Sequence, residues 1–255
     1  MTLTIGVPFV GDTRMLTTCV RSLLSQTHRD LRVLVIGDGQ EPRLRVRDSR
    51  VHVYTLPENR GSYFSRAVAL AATDTSHHGI VDSDDWVDPE WAEALLAADA
   101  DAVQHGSRWQ EVEGQEPYVE AWRHARRPLA TRLLHYSSHT GIYATARLRE
   151  AGGYSPAYRV GYDSFLSAIL RLLGPVDVVD EPLYHRRVHA SSLSNAPDTR
   201  IGSPERVRVR KELDVAYRKC YRLRARPDRV RKIVGELTPA HLWDEVAHHA
   251  ERAAR

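Results

Sequence analysis

The stretch Gly79-Ile80-Val81-Asp82-Ser83-Asp84-Asp85-Trp86 decides how this chain is read. A short apolar run ending abruptly in carboxylates is the pattern of a buried strand that delivers acids to the rim of a sheet, where open α/β folds bind ligands. Asp82, Asp84 and Asp85 repel one another, and without compensation that repulsion and partial desolvation would disfavour their ionised forms. A bound divalent cation is the simplest way to keep several of them ionised together. Oxygen-only donors favour a hard ion, Mg²⁺ or Mn²⁺. Two rival readings use the same residues. In one, the segment is an acidic strand-to-helix loop, with Asp88 as N-cap, Pro89 at the first helical position and the three acids merely solvated. In the other, Asp82, Asp84, Asp88, Glu90 and Glu93 fall on ligand positions of an EF-hand register. That register fails: Trp86 stands where an oxygen ligand belongs, Val87 stands where the sharp turn needs glycine, and a strand precedes the loop instead of a helix.

On the N-terminal side of this stretch, strand and helix alternate. Leu3 to Val7 reads as a buried strand closed by Pro8, and Arg14 to Ser25 as an amphipathic helix that Thr13 could cap. Leu31 to Ile36 is an apolar strand ending in the turn Gly37-Asp38-Gly39, and Val51 to Thr55 alternates as a third strand. Ser62 to Ala72 is helical, Gly79 to Asp82 is the fourth strand, and Asp88 to Ala98 is the helix after it. The fold class is therefore α/β, a mostly parallel Rossmann-like sheet with flanking helices. Beyond it, Ala102 to His105 is a strand, and the stretch from Trp109 to Trp122 reads as a hairpin or loops. Arg147 to Ala151 and Asp163 to Leu172 are helices stopped by glycine, and Val176 to Val179 is a strand. The expected organisation is a main domain over 1–194 in two halves, 1–100 and 101–194. A linker over 195–204 and a basic helical extension over 205–255 follow. In the extension, Glu205 to Arg224 and Pro239 to Ala250 are helical, the second with Thr238 as N-cap.

The 255 residues are 42% apolar and 27% charged, with a net charge of +3. That supports one large globular domain with a small helical appendage, and gives no general charge argument for nucleic acid. Cys19 falls among apolar helix positions and Cys220 has no Cys or His at a metal-binding spacing, which fits a reducing cytoplasm. No run approaches the roughly 18 apolar residues of a membrane span, and the N-terminus has no basic segment followed by a long apolar one, so a soluble, cytoplasmic protein is expected. The arginines and lysines from Arg206 to Lys232 read first as a solvated helix face, with contact to an anionic acceptor or a membrane surface as the functional alternative. No nucleic-acid reading motif accompanies them.

Asp38 follows the second strand as the acid cluster follows the fourth, so both point at one rim. A carboxylate there accepts hydrogen bonds from a nucleobase or ribose, while the plain reading is an Asp-Gly turn. Asn59-Arg60-Gly61 and Arg66 open the next helix, where terminal amides and an arginine suit a phosphate.

The series Pro8-Phe9, Cys19 to Thr27, Ile36-Gly37-Asp38-Gly39, Glu58-Asn59-Arg60-Gly61, Asp82-Ser83-Asp84-Asp85-Trp86, Gly152-Gly153-Tyr154 and Tyr184-His185-Arg186-Arg187-Val188-His189 resembles the family 2 glycosyltransferases of the GT-A fold, in order and spacing, from Leu3 to about Ser194. The resemblance implies an inverting, metal-dependent transfer of a sugar from a nucleotide-diphosphate donor, UDP-sugar favoured, to a hydroxyl acceptor. It places Pro8, Phe9, Asp38, Asn59, Arg66, Asp82, Ser83, Asp84 and Arg187 on the donor side. Asp82 and Asp84 fall on the family's DxD acids, with Asp85 extending the metal set and His189 completing its shell. Asp163 matches the catalytic aspartate that takes the acceptor proton; helix capping is the plain alternative for it. Trp109, Tyr154 and Tyr162 are the expected acceptor contacts, with Trp86, Trp122 and Tyr158 as companions; a packed core aromatic is the plain alternative for each. The chain departs from the family pattern at Val10-Gly11, at Gly37 in place of the first acid of Asp-Asp-Gly, and at Tyr162 in place of the usual glutamate before the catalytic aspartate. Two other functions stand beside this one. A sugar-nucleotide-forming nucleotidyltransferase needs a Gly-rich basic loop after the first strand, which Pro8 to Thr13 lacks. A calcium- or polyanion-binding module would bind without a nucleotide.

Overall fold

The computed structural model describes residues 1–98, 100–121, 129–133, 140–190, 192–193 and 195–254; Trp122 lies outside them. In chain order the elements are β1 (Leu3–Phe9), α1 (Thr13–Leu24), β2 (Leu31–Gly37), β3 (Val51–Thr55), α2 (Ser62–Ala71), β4 (His77–Ile80), β5 (Trp86–Val87), α3 (Trp91–Leu96), β6 (Ala102–His105), β7 (Ser107–Val112), β8 (Tyr118–Ala121), β9 (Gly141–Ala144), α4 (Thr145–Glu150), α5 (Tyr162–Leu173), β10 (Asp177–Val179), β11 (Tyr184–Val188), α6 (Pro204–Arg222), α7 (Pro227–Gly235) and α8 (Ala240–Ala253).

A seven-stranded sheet runs in the order β10-β6-β9-β4-β1-β2-β3. β1 pairs in parallel with β2 (Ile5 opposite Val33) and with β4 (Ile5 opposite Gly79), and β2 pairs in parallel with β3. Only β9 runs against its neighbours. β1 is buried along its whole length, as expected for a central strand covered on both faces. Gly6 lets α2 lie close on that strand, since a Cβ there would come 2.8 Å from that of Ala69. A second, four-stranded sheet runs β5-β11-β7-β8 and begins immediately after the acid loop.

Helix α1 buries Leu16, Cys19, Val20 and Leu23, one face at helical spacing; each such Leu or Val contributes roughly 1.5–3 kcal/mol. Its N-cap is Asp12, whose side chain accepts from the amide of Arg14, and not Thr13, which is the first helical residue. α3 starts at Trp91 with no side-chain cap, and Asp88 turns to His185 instead. The Thr238 hydroxyl, expected to cap the last helix, bonds Ser155 at 2.5 Å, and Pro239 takes the N-cap position. The helices after Pro204 pack into the main core. Val209, Leu213 and Cys220 of α6, Val230 and Val234 of α7, and Val246 and Ala250 of α8 share one apolar cluster with Phe64, Tyr154 and Tyr162. Among the described residues no helix is long and apolar enough to cross a membrane.

Two histidines are sealed in this core. His78 bonds Thr73 through Nδ1, and His105 accepts from the Trp91 indole at 2.6 Å; burial pushes both imidazoles down to about 3. Unfolded, each titrates near about 6.5. Between these values the unfolded chain binds more protons, so this stabilisation is complete above about pH 6.5 and is lost as pH falls toward 3. Each histidine should contribute a slope of up to about 1.4 kcal/mol per pH unit across that window. Urea midpoints at pH 7.5, 6 and 5 should fall accordingly, and His105→Gln, which keeps an acceptor for Trp91, should flatten the fall by about half.

Candidate active site

The carboxyl ends of β1, β2 and β4 meet at one rim. The amide of Asp38 bonds the carbonyl of Phe9 at 2.8 Å, and the amide of Val81 bonds that of Gly6 at 3.2 Å, so the strand ladders themselves place the two acid-bearing turns side by side. Pro8 and Phe9 are buried at the end of β1, in register with Ile36 and Gly37, while Asn59 is exposed on the rim.

The three acids of the loop have three different partners. Asp82 Oδ1 accepts from Nη2 of Arg66 at 2.6 Å, and the arginine side chain is only 6% exposed. Burial opposes the charge on Arg66, but Asp82, followed by Tyr63 and Asp163, more than offsets it, and the guanidinium is held firmly protonated. Asp84 Oδ2 lies 3.1 Å from Nε2 of His189. Burial first, and the charge of Asp82 second, raise the Asp84 pKa against the opposing pull of His189. Asp85, expected among the metal acids, is instead turned inward. Its Oδ2 accepts from the Tyr184 hydroxyl at 2.6 Å and its Oδ1 from the amide of Arg187 at 2.8 Å, so it ties β11 to the loop. Burial and the charges of Asp84 and Asp82 push its pKa well up. Ser83 stands half-buried between the acids. Among the described residues no group of three or more His, Cys, Asp or Glu side chains is arranged to hold a metal. Asp84 and His189, bonded to each other at 3.1 Å, are the two side chains that could hold an ion whose remaining ligands come from a substrate diphosphate and water.

Asp38 is 3% exposed, and both its oxygens are used by the chain: Oδ1 accepts from the amide of Arg60 at 2.7 Å and Oδ2 from that of Gly61 at 2.9 Å. Burial raises its pKa, and these two amides oppose the rise without cancelling it. The carboxylate expected to face a nucleobase therefore shapes the loop into α2, and the amides expected to face a phosphate are bonded to it. Gly39 closes the turn at φ +70°, where a Cβ would lie 2.4 Å from the Asn59 nitrogen. The same loop is held from behind by α8, because Arg60 pairs with Glu245 at 2.6 Å.

Asp163 sits in the first turn of α5, after Gly161 in the left-handed region. Its Oδ1 accepts from the Tyr63 hydroxyl at 2.6 Å, and its amide donates to the same oxygen of Tyr63 at 3.0 Å. Arg66 lies over the Tyr63 ring, 5.1 Å from the centroid. The one signal of Tyr63 in the sequence is a polar tip on the buried face of a helix opening at the rim.

Arg187 lies over Trp86, 4.8 Å from the ring centroid. His185 stacks between Trp86 and Trp109 at 5.0 and 6.0 Å, with its two nitrogens 3.1 Å from Glu111 and Asp88. Trp109 is thus half-buried in an aromatic row beside the loop. Tyr154 and Tyr162, the other expected acceptor contacts, are 0% and 1% exposed. Tyr154 packs beside His78, and Tyr162 stacks on Tyr158, so both rings stand in the core, out of reach of an acceptor.

Parallel strand ends, an acid loop braced by a buried arginine and a second carboxylate opposite form the architecture of a GT-A glycosyltransferase. The sequence carries the same identity: residues 4–151, more than half of the chain, match the profile of Glycosyl transferase family 2, and the chain belongs to that family. It is 27% identical over 100 residues to the glycosyltransferase GlyA of Streptococcus pneumoniae, covering 36% of this chain and 14% of that one. The fold is similar to that of S. aureus TarS 1–349 solved with UDP-GlcNAc, with a TM-score of 0.63 and 21% identity, over 99% of this chain and 72% of that one. The same protein solved with UDP matches with a TM-score of 0.57 and 20% identity, over 74% of this chain and 61% of that one. The chain thus spans well under two thirds of GlyA and slightly under two thirds of the UDP-bound TarS chain.

Replacing Asp38 by Ala removes the acceptor of two part-buried amides and should cost about 1–3 kcal/mol, read as a lower urea midpoint. Unchanged stability with weakened nucleotide binding would instead assign the carboxylate to the ligand.

Proposed function

We propose that this glycosyltransferase moves a sugar from a UDP-sugar to a hydroxyl acceptor with inversion at the anomeric carbon, using Asp163 as general base and a divalent cation at Asp84 and His189. The observation that carries the reading is the one-rim arrangement in which Asp82 and Asp163 are joined through Arg66 and Tyr63, bringing a donor-side acid and a second carboxylate to the same arginine. The UDP and UDP-GlcNAc bound by its structural neighbours favour a uridine diphosphate donor. The Asp84 pKa is raised first by burial and then by the charge of Asp82, and a bound cation would offset both. Mg²⁺ or Mn²⁺, when bound, supplies charge that stabilises the leaving diphosphate.

The protein's own side chains account for the rest. Arg187 stands at the loop as a second cationic group for the diphosphate. Asp82, already bonded to Arg66, is positioned for a ribose hydroxyl. Asp163 takes the acceptor O–H proton as the new O–C1 bond forms and the bond from C1 to the diphosphate oxygen breaks. One such displacement inverts C1. Trp109 is the aromatic proposed to border the acceptor. Two buried free cysteines fit a reducing, cytoplasmic setting.

A thermal-shift series with UDP, GDP, dTDP and CDP, each with and without Mn²⁺, tests the donor side, because a ligand of the folded state alone raises apparent stability. UDP should give the largest shift and Mn²⁺ should enlarge it. Asp84→Ala should abolish the Mn²⁺-dependent part, and an undiminished Mn²⁺ effect in that variant would remove Asp84 from the site. Asp163→Asn should keep UDP binding and lower turnover by about 10²–10⁴-fold, the range of general-base contributions. Near-normal turnover there would exclude Asp163 as the base.

A further inference from the structure

Tyr63 makes two hydrogen bonds to one residue 100 positions further along the chain. Its hydroxyl donates to Asp163 Oδ1 at 2.6 Å and accepts from the Asp163 amide at 3.0 Å. A phenol bonded to both the carboxylate and the backbone of the same residue fixes the start of α5 and the torsion of the side chain together. The short O–H···O⁻ distance is that of a charge-assisted bond. The ring itself has little freedom. It is 3% exposed, stands edge-on to Tyr162 at 6.0 Å, and lies under Arg66 at 5.1 Å. Arg66 is in turn bonded to Asp82. The line Asp82–Arg66–Tyr63–Asp163 therefore runs from the donor loop to the acceptor-side carboxylate through contacts that all start on α2.

We propose that Tyr63 is a positioning residue for the transfer step: it holds the Asp163 carboxylate in the orientation that receives the acceptor proton. The inference rests on the reading of Asp163 as the base. Tyr63 keeps its own proton throughout; the acceptor proton goes to Asp163, and the electron pair of the breaking C1–O bond leaves with UDP. The hydrogen bond from Tyr63 makes the carboxylate a slightly weaker base, but an oriented one, and orientation is the larger effect where a displacement of about 1 Å costs roughly a hundredfold in rate. The competing structural role is simpler. The amide of Asp163 is one of the orphan donors of a helix first turn, and Tyr63 could serve only to satisfy it.

Tyr63→Phe removes only the hydroxyl. The test measures UDP release at saturating donor, using whichever of a panel of UDP-hexoses and UDP-N-acetylhexosamines turns over fastest, together with UDP affinity, for Tyr63→Phe, Asp163→Asn and the double variant. The expected result is that Tyr63→Phe lowers kcat about 10–100-fold with UDP affinity within about twofold, and that the double variant is no slower than Asp163→Asn alone. Wild-type kcat in Tyr63→Phe, with Asp163→Asn inactive, would make Tyr63 a helix cap and overturn the inference while leaving the base in place. A double variant slower than Asp163→Asn by the full Tyr63→Phe factor would show that Tyr63 acts independently of Asp163, and a parallel loss of UDP affinity would assign it to the donor pocket; either overturns it. Near-normal turnover of Asp163→Asn alone would overturn the base reading, and the role of Tyr63 with it.

Discussion

Three carboxylates within four residues, at the end of a strand whose last side chains Ile80 and Val81 are fully buried, impose the electrostatic constraint on which the rest of the molecule depends. Like charges this close cannot all stay ionised in a partly desolvated loop unless each finds its own compensation. The chain meets the demand only in part, from three directions: a guanidinium from α2 for Asp82, an imidazole from beyond β11 for Asp84, and a phenol and an amide of β11 for Asp85, while burial and mutual repulsion still hold the pKa values of Asp84 and Asp85 up. Because these groups come from segments far apart in sequence, the loop also joins the two sheets. The inward turn of Asp85 ties β11 to the end of β4, and that tie carries Arg187 and His189 to the rim.

The same economy appears at Asp38. A carboxylate bonded to the amides of Arg60 and Gly61 fixes the path into α2, and α2 is the helix that carries both Arg66 and Tyr63. The C-terminal helices reinforce that element from the other side. α8 packs on α2, with Glu245 on Arg60 and His249 bonded to Tyr54 at 2.8 Å and edge-on to Phe64. The segment after Pro204 thus supports the helix that carries Arg66 and Tyr63.

What the sequence disclosed follows from how local each signal was. β1, β2, β3 and β4, with α1 and α2 between them, were legible because apolar runs and helical periodicity are properties of short windows. Their GT-A arrangement followed from the motif order. β9 was not legible: Gly141-Ile142-Tyr143-Ala144 is four residues opening with glycine, and it is a strand only because β4 and β6 leave a place between them. α7 was masked by its arginines, although Val230 and Val234 stand one turn apart and both are buried. At the site, Asp82, Asp84 and Arg66 stand out in the sequence by type and place, and His189 only by the motif order; their pairings do not. Nothing local separates an aspartate that faces a ligand, as expected of Asp85 and Asp38, from one that has turned to bond its own chain. Tyr154 and Tyr162 show the same limit for aromatics, which suit a core and a sugar face equally well.

The acid loop and the aromatic row differ in legibility for a geometric reason. The acids ride on the ends of strands in the central sheet, where main-chain ladders fix them whatever the surrounding loops do. The aromatic row on the second sheet is set by register instead: His185 lies opposite both Trp86 and Trp109, so the rings stand at the spacing of neighbouring strands with planes only 13° and 12° apart. Ring faces turned to one another in this way are consumed by the stack. Glu111 and Asp88 at the two nitrogens of His185 hold the central ring upright, and Arg187 engages Trp86 as well. The faces that Trp86 and Trp109 turn to His185 are therefore closed, and an aromatic that reads in sequence as an open stacking platform stands in the structure as part of a packed row set by strand register.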